Sequence, residues 1–171
     1  SGEVVKINKF GQVIWSFQNQ DLLNTPIKIF DDYIVVPGLQ IDPYKLSSPS
    51  GPWIVGSFPL WHYIKFSTGQ EPEWQYDDID YVVHTEEQGN YLLNYFRQLG
   101  EPEKLLYNGI YRFSKAQVNI KLYDDIRFRL YMHDIDVCQV GSDNKNFYLS
   151  SSAYNSINKN LCKFTGNTFD Q

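Results

Sequence analysis

The chain has 171 residues and a formal net charge of −5, from 15 Lys+Arg against 20 Asp+Glu, which is one domain's length and excludes a polybasic nucleic-acid binder. Hydrophobic residues make up 42% and aromatics 16%, which excludes intrinsic disorder, and no apolar run approaches the roughly 20 residues that span a bilayer. Two cysteines, Cys138 and Cys162, exclude a disulfide scaffold and form no zinc-like spacing with His62, His84 or His133, so a reducing, cytoplasmic setting without a membrane is expected.

Alanine stands only at positions 116 and 153, and β-branched and aromatic residues fill most apolar positions, which predicts more strand than helix. Ser1-Gly2, with no initiator methionine, reads as a cleavage remnant. Residues 3 to 17 alternate apolar and polar around Lys9-Phe10-Gly11-Gln12, a hairpin pattern, and a second β stretch runs from Ile27 to Val36. The Ser/Pro/Gly stretch from Ser47 to Pro52 then separates an N-terminal β element and linker, residues 1–50, from a main unit, residues 51–171, the two packing together as one body.

The main unit opens with a short apolar strand, Pro52 to Val55, then Gly56-Ser57, then a helix over Phe58 to Phe66. After a polar loop, Ile79, Tyr81 and Val83 share one face at period two, so Asp78 and Asp80 project together from the other. Thr85-Glu86-Glu87-Gln88 is a capping box, and Gly100 and Pro102 close the helix it starts. Asn108-Gly109 between apolar runs predicts a hairpin. Val118-Ile120-Leu122, Ile126-Phe128-Leu130 and Ile135-Val137 alternate with polar neighbours and predict three strands; a short one follows over Asn146 to Leu149, and a helix over Ser151 to about Asn160.

Three pieces carry chemistry: Gly56-Ser57, Asp78-x-Asp80 and Asp134-x-Asp136. Taken singly, the first is an ordinary turn and N-cap and the others are solvated strand ends. Together they mean more. Carboxylates at i, i+2 on a strand can share a hard cation such as Mg²⁺, and a third on a neighbouring strand completes a two-metal cage. Glycine lets a phosphate approach the backbone, and Ser57 offers a hydroxyl and an N–H at a helix start. Four converging carboxylates repel unless a cation holds them. Of the remaining candidates, Asp124-Asp125 reads as a turn, and Arg127 and Arg129 as an exposed strand face that can contact phosphate. Arg112 and Lys115 read like that pair, His84 as a helix-entry residue, and Trp53, Trp61 and Trp74 as core aromatics.

In this order, Gly56-Ser57, Asp78-Ile79-Asp80 and the segment from His133 to Gly141 resemble the nucleotidyltransferase superfamily of DNA polymerase β-like folds, in particular the nucleotidyltransferase-like proteins of large DNA viruses and phages, over roughly Trp53 to Ile157. The resemblance implies an α+β fold, a mixed β-sheet with flanking helices. It implies a metal-dependent nucleotidyltransferase moving a nucleoside monophosphate from an NTP to a hydroxyl of a nucleic acid, a protein or a small molecule, with Mg²⁺ or Mn²⁺. Carried over by position, Gly56 and Ser57 hold the nucleotide phosphates. Asp78, Asp80 and Asp134 are the catalytic metal ligands, with Asp136 the other candidate for the third carboxylate. There are three departures. The interval before Asp78 is longer than the family's compact turn, His133 replaces a phenylalanine, and the helical second domain that many family members carry is not expected within these 171 residues. They favour the alternative, a catalytically inactive binding or virion-associated module in a host cytoplasm or virion, or one completed by a partner chain or a further C-terminal domain.

Overall fold

The computed structural model describes residues 33–107 and 109–165, and the backbone of two earlier strands, β1 (Glu3–Ile7) and β2 (Val13–Gln18). These two pair antiparallel, as the alternation predicts. The turn between them and the predicted β residues 27–32 lie outside the described residues.

The body is an α+β fold around one mixed eight-stranded sheet. Its strands are β3 (Tyr33–Pro37), β4 (Trp53–Val55), β5 (Ile79–Val83), β6 (Lys104–Tyr107), β7 (Ile110–Arg112), β8 (Ala116–Leu122), β9 (Val140–Ser142) and β10 (Asn146–Ser150), in the spatial order β3-β10-β9-β4-β5-β8-β7-β6. All neighbours are antiparallel except β5 and β8. The crossover between those two is α2 (Glu86–Gln98), since parallel strands need a long connection and a helix supplies it. Thr85 caps this helix by accepting from Gln88 N–H, and the Gln88 side chain accepts in turn from His84 N–H.

Both faces of the sheet are covered. Ile54, Ile79, Tyr81 and Val83 point into a core closed by α1 (Ser57–Thr68), α2 and α4 (Ser151–Lys159), through Phe58, Leu60, Leu92, Phe96 and Ala153. Trp53, Val55 and Val82, one position out of phase, point the other way against Tyr123 and α3 (Ile126–Tyr131). The stretch before Trp53 is tied to the first core: buried Asp42 accepts from the backbone N–H of Tyr44, Leu46 and Ser47, and Tyr81 Oη donates to it at 2.7 Å.

Two predicted strands are corrected. Ile126 to Leu130 is the helix α3, because Asp125 caps it by accepting from Arg127 N–H, and Ile126 and Leu130 at i, i+4 face the sheet. Ile135 to Val137 makes only one bridge, Ile135 with Phe164, before a 3-10 turn over Asp136–Cys138.

Candidate functional site

Gly56 ends β4 and caps α1 at φ 93° and ψ −144°, a conformation open to glycine and strained for other residues. Among the described residues no side chain caps this helix start. A Cβ on Gly56 would lie 3.3 Å from Asp80 Oδ2 and 3.9 Å from His133 Cε1, so the turn, the carboxylate and the imidazole meet at one point. Ser57 lines a different groove, with Leu60, Val137 and Ser156 between α1 and α4, so the turn brings backbone to the carboxylates. Gly56→Ala is expected to destabilise the fold by about 1–3 kcal/mol, read by urea denaturation, because the methyl presses on Asp80 and the backbone must shift.

The alternation of β5 places Asp78 and Asp80 on the face opposite Tyr81. Their surroundings differ. Buried Asp78 accepts from Gln117 Nε2 at 3.1 Å and pairs with Arg112 Nη2 at 3.0 Å. Asp80 receives no hydrogen-bond donor among the described residues and opens into a cleft of about 200 Å³, lined also by Gln117, Asn119, Tyr123, Arg129 and His133. Burial pushes its carboxyl up to about 7; Arg129 and Arg112 oppose that rise and Asp78 adds to it.

Asp134 and Asp136 stand apart from this pair. Neither is among the charges that Asp80 feels, and no group of three His, Cys, Asp or Glu side chains able to hold a metal occurs among the described residues. Asp134 is exposed, and its carbonyl accepts from Thr165 N–H. Asp136 is fully buried and spends its carboxylate on Ser152 Oγ, Ser156 Oγ and Lys163 N–H. Burial works against its charge, but these hydrogen bonds outweigh burial and hold the carboxyl below its ordinary range. The 3-10 turn, where a strand was expected, aims it at α4 and the chain after it.

The strand beside Asp80 in parallel register presents Gln117, an amide, where a third carboxylate would complete a cage. That decides what the residues fit. One Mg²⁺ is commonly held by one or two carboxylates plus phosphate oxygens and water, and a carboxylate facing the cleft with no donor among the described residues suits it. Two cations about 4 Å apart need more anionic ligands than two carboxylates, one already paired with Arg112. The donor set fits one divalent cation and does not fit two.

The arginines complete the site. Arg129, read from sequence as an exposed strand residue, is 8% exposed on α3, and its Nη1 lies 3.0 Å from His133 Nε2. A guanidinium only donates, so that nitrogen carries the acceptor lone pair. Burial and the Arg129 charge hold the imidazole well below its ordinary pKa, in agreement with a neutral ring. The signal for this pair was the spacing Ile126, Arg129, Leu130, His133, which is as helical as Ile126, Phe128, Leu130 is extended. Among the remaining candidates, Asp125 caps α3, and His84 Nδ1 lies 2.8 Å from the Tyr123 carbonyl oxygen. Trp53 and Trp61 are buried in the cores and Trp74 is exposed.

No protein-family model matches the chain, and no curated protein does. Among solved structures, the CCA-adding enzyme of Thermotoga maritima complexed with tRNA is similar over 66% of this chain, at 16% identity and a TM-score of 0.45. The match spans 28% of that enzyme's length. A likeness this distant assigns neither a family nor an activity.

Proposed function

We propose that this chain is a nucleotidyltransferase-like protein that binds a nucleoside triphosphate in the cleft over Asp80, with one Mg²⁺ or Mn²⁺ shared by Asp78 and Asp80. The observation that carries the proposal is the meeting of the α1 helix start with a carboxylate that receives no donor among the described residues: Asp80 Oδ2 lies 3.3 Å from where a Cβ on Gly56 would sit. Phosphate oxygens are drawn to the free N–H groups of a helix N-terminus, and a carboxylate beside them repels phosphate unless a cation lies between. Asp78 and Asp80 would hold the cation, which would supply positive charge to offset that of the phosphates. Gly56, lacking a side chain, lets the triphosphate reach the α1 backbone, and Asp78, whose Oδ2 is held by Gln117 and Arg112, is the carboxylate next to Asp80 on the same strand face.

Transfer of a nucleoside monophosphate needs an acceptor hydroxyl to lose its proton and attack the α-phosphorus while pyrophosphate leaves. With Gln117 in place of a third carboxylate, this cleft has a weaker means of activating that hydroxyl, which favours the reading of a nucleotide-binding module over an active transferase. Calorimetry with a non-hydrolysable NTP analogue, with and without Mg²⁺, tests the binding, and labelling by an α-³²P NTP tests transfer. Metal-dependent binding that is lost in Asp78→Asn/Asp80→Asn, without labelling, is the expected result. If no NTP binds in either condition, the proposal fails; labelling that depends on Asp78 and Asp80 restores the transferase reading.

A further inference from the structure

The sheet face that carries Asp80 presents its side chains in rows that run across the strands. Register puts Asp80 beside Gln117 and Gln117 beside Arg112 in one row. The next row, about 7 Å farther along the strands, sets Val82 beside Asn119, Asn119 beside Ile110 and Ile110 beside Tyr107. The first row is ionic and amide, and the second is apolar and aromatic around one amide. Asp80, Asn119, Ile110 and Tyr107 line a single cleft, so its carboxylate end opens without a break onto an aromatic end. Tyr107 stands at the rim, on the edge strand β6, and is 48% exposed. A lone exposed aromatic needs no explanation, but one that shares a concave wall with an isoleucine, an amide and a carboxylate offers its ring face to a ligand.

Asn119 is held in one orientation. Its Oδ1 accepts from Lys121 N–H at 2.9 Å, and its Nδ2 donates to the Tyr123 hydroxyl. One acceptor lone pair and one N–H remain on the amide. Adenine, with an amino group beside a ring nitrogen, matches that pair, whereas guanine shows two acceptors on the corresponding edge. We propose that Tyr107 and Asn119 bind the nucleobase in this cleft, Tyr107 stacking on its face and Asn119 hydrogen-bonding its edge, and that the base is adenine in preference to guanine. With the phosphates at the Gly56 turn and the cation on Asp80, the nucleoside extends over Gln117 and onto the second row. The inference rests on the proposal that the cleft takes a nucleoside triphosphate, and it adds which base is taken and which residues hold it.

The test titrates three probes by calorimetry in the presence of Mg²⁺: non-hydrolysable analogues of ATP and GTP, and inorganic triphosphate, which has no base. The ATP analogue is expected to bind more tightly than triphosphate and than the GTP analogue. Tyr107→Ala is expected to weaken the ATP analogue by about 5- to 100-fold, the range for loss of one base-stacking ring, and to leave triphosphate affinity as in the wild type. Tyr107→Trp, which keeps a ring face, is expected to retain the ATP analogue. Half-exposed on an edge strand, Tyr107 can be changed without opening the core. Asn119→Ala is expected to bring the two analogues to similar affinities. Tyr91→Ala, at an exposed tyrosine on α2 across the sheet from the cleft, is the control and is expected to bind all three probes as the wild type does. Should Asn119→Ala not fold, the Tyr107 variants and the wild-type comparison decide alone. An ATP analogue that binds no better than triphosphate, a GTP analogue that binds as well as the ATP analogue, or wild-type affinity in a folded Tyr107→Ala sinks the inference and leaves the phosphate and cation site standing. A preference for the ATP analogue that survives in a folded Asn119→Ala also overturns it. If the wild type binds none of the three probes, the function reading and this inference fall together.

Discussion

Asp80→Asn is expected to raise the melting temperature of the metal-free protein at pH 8 and to remove most of its dependence on pH between 5 and 8. The folded protein holds the Asp80 proton until about pH 7, whereas the ordinary value is 3.8. A carboxyl raised in this way favours the fold most below its ordinary pKa, where it is protonated in both states. That contribution is lost as pH rises from about 4 to about 7 and stays lost above it. At 1.36 kcal/mol per unit the full loss is about 4 kcal/mol. An asparagine amide never ionises and escapes this loss, although its own need for hydrogen bonds inside the cleft costs about 1–2 kcal/mol. The net gain at pH 8 is about 2 kcal/mol, or several degrees for a chain of this size. A divalent cation should give the wild type the same benefit by binding the ionised carboxylate in the fold alone, and Asp80→Asn should forfeit that response. Thermal melts of both proteins at pH 5, 6.5 and 8, with and without Mg²⁺, provide the check. A wild type whose melting temperature rises with pH over that range would refute the argument.

Local chemistry made half of the cleft legible in the sequence. The alternation through Ile79, Tyr81 and Val83 is enough to put Asp78 and Asp80 on the opposite face, and a glycine between an apolar strand and a helix is enough to place a turn at Gly56. The other half depends on contacts between distant parts of the chain. Asp134-x-Asp136 has the same spelling as Asp78-x-Asp80, yet Asp136 is claimed by Ser152, Ser156 and Lys163, 16 to 27 residues later, and no local pattern announces that. Gln117 matters only because β8 lies parallel to β5 with Gln117 opposite Asp80, a register set across a whole crossover helix. The segment from Ile126 to Leu130 satisfies period two and period 3.6 equally, and the Asp125 side chain decides between them by capping a helix. With that choice Arg129 and His133, four residues apart, turn together into the cleft; as a strand they would have been spread along it.

Asp136→Ala is expected to be the most destabilising change at any of the carboxylates read from sequence, and to leave cation binding at Asp78 and Asp80 intact. The Asp136 carboxylate gathers the segment around Ile135, the helix α4 and the chain after it. Ser152 Oγ donates to it at 2.8 Å, Lys163 N–H at 2.9 Å, and Ser156 Oγ also donates to it. Its own N–H returns a bond to the Lys163 carbonyl at 3.0 Å, so two stretches 27 residues apart are tied in both directions. Alanine leaves Ser156 Oγ and the Lys163 N–H without their acceptor, in surroundings where Asp136 itself has no exposure. Orphaned buried donors cost about 1–3 kcal/mol each, so a loss of about 3–4 kcal/mol is expected even if water enters the gap. Because this carboxyl is held below its ordinary value, its contribution is present at neutral pH and fades as pH falls through the acid range, opposite in sense to that of Asp80. Urea denaturation at pH 7 and pH 3.5 separates the two: the gap between wild type and Asp136→Ala should narrow at the lower pH. Mn²⁺ titration of the folded variant supplies the functional arm, and a loss of Mn²⁺ affinity there would mean that Asp136 reaches the cation after all.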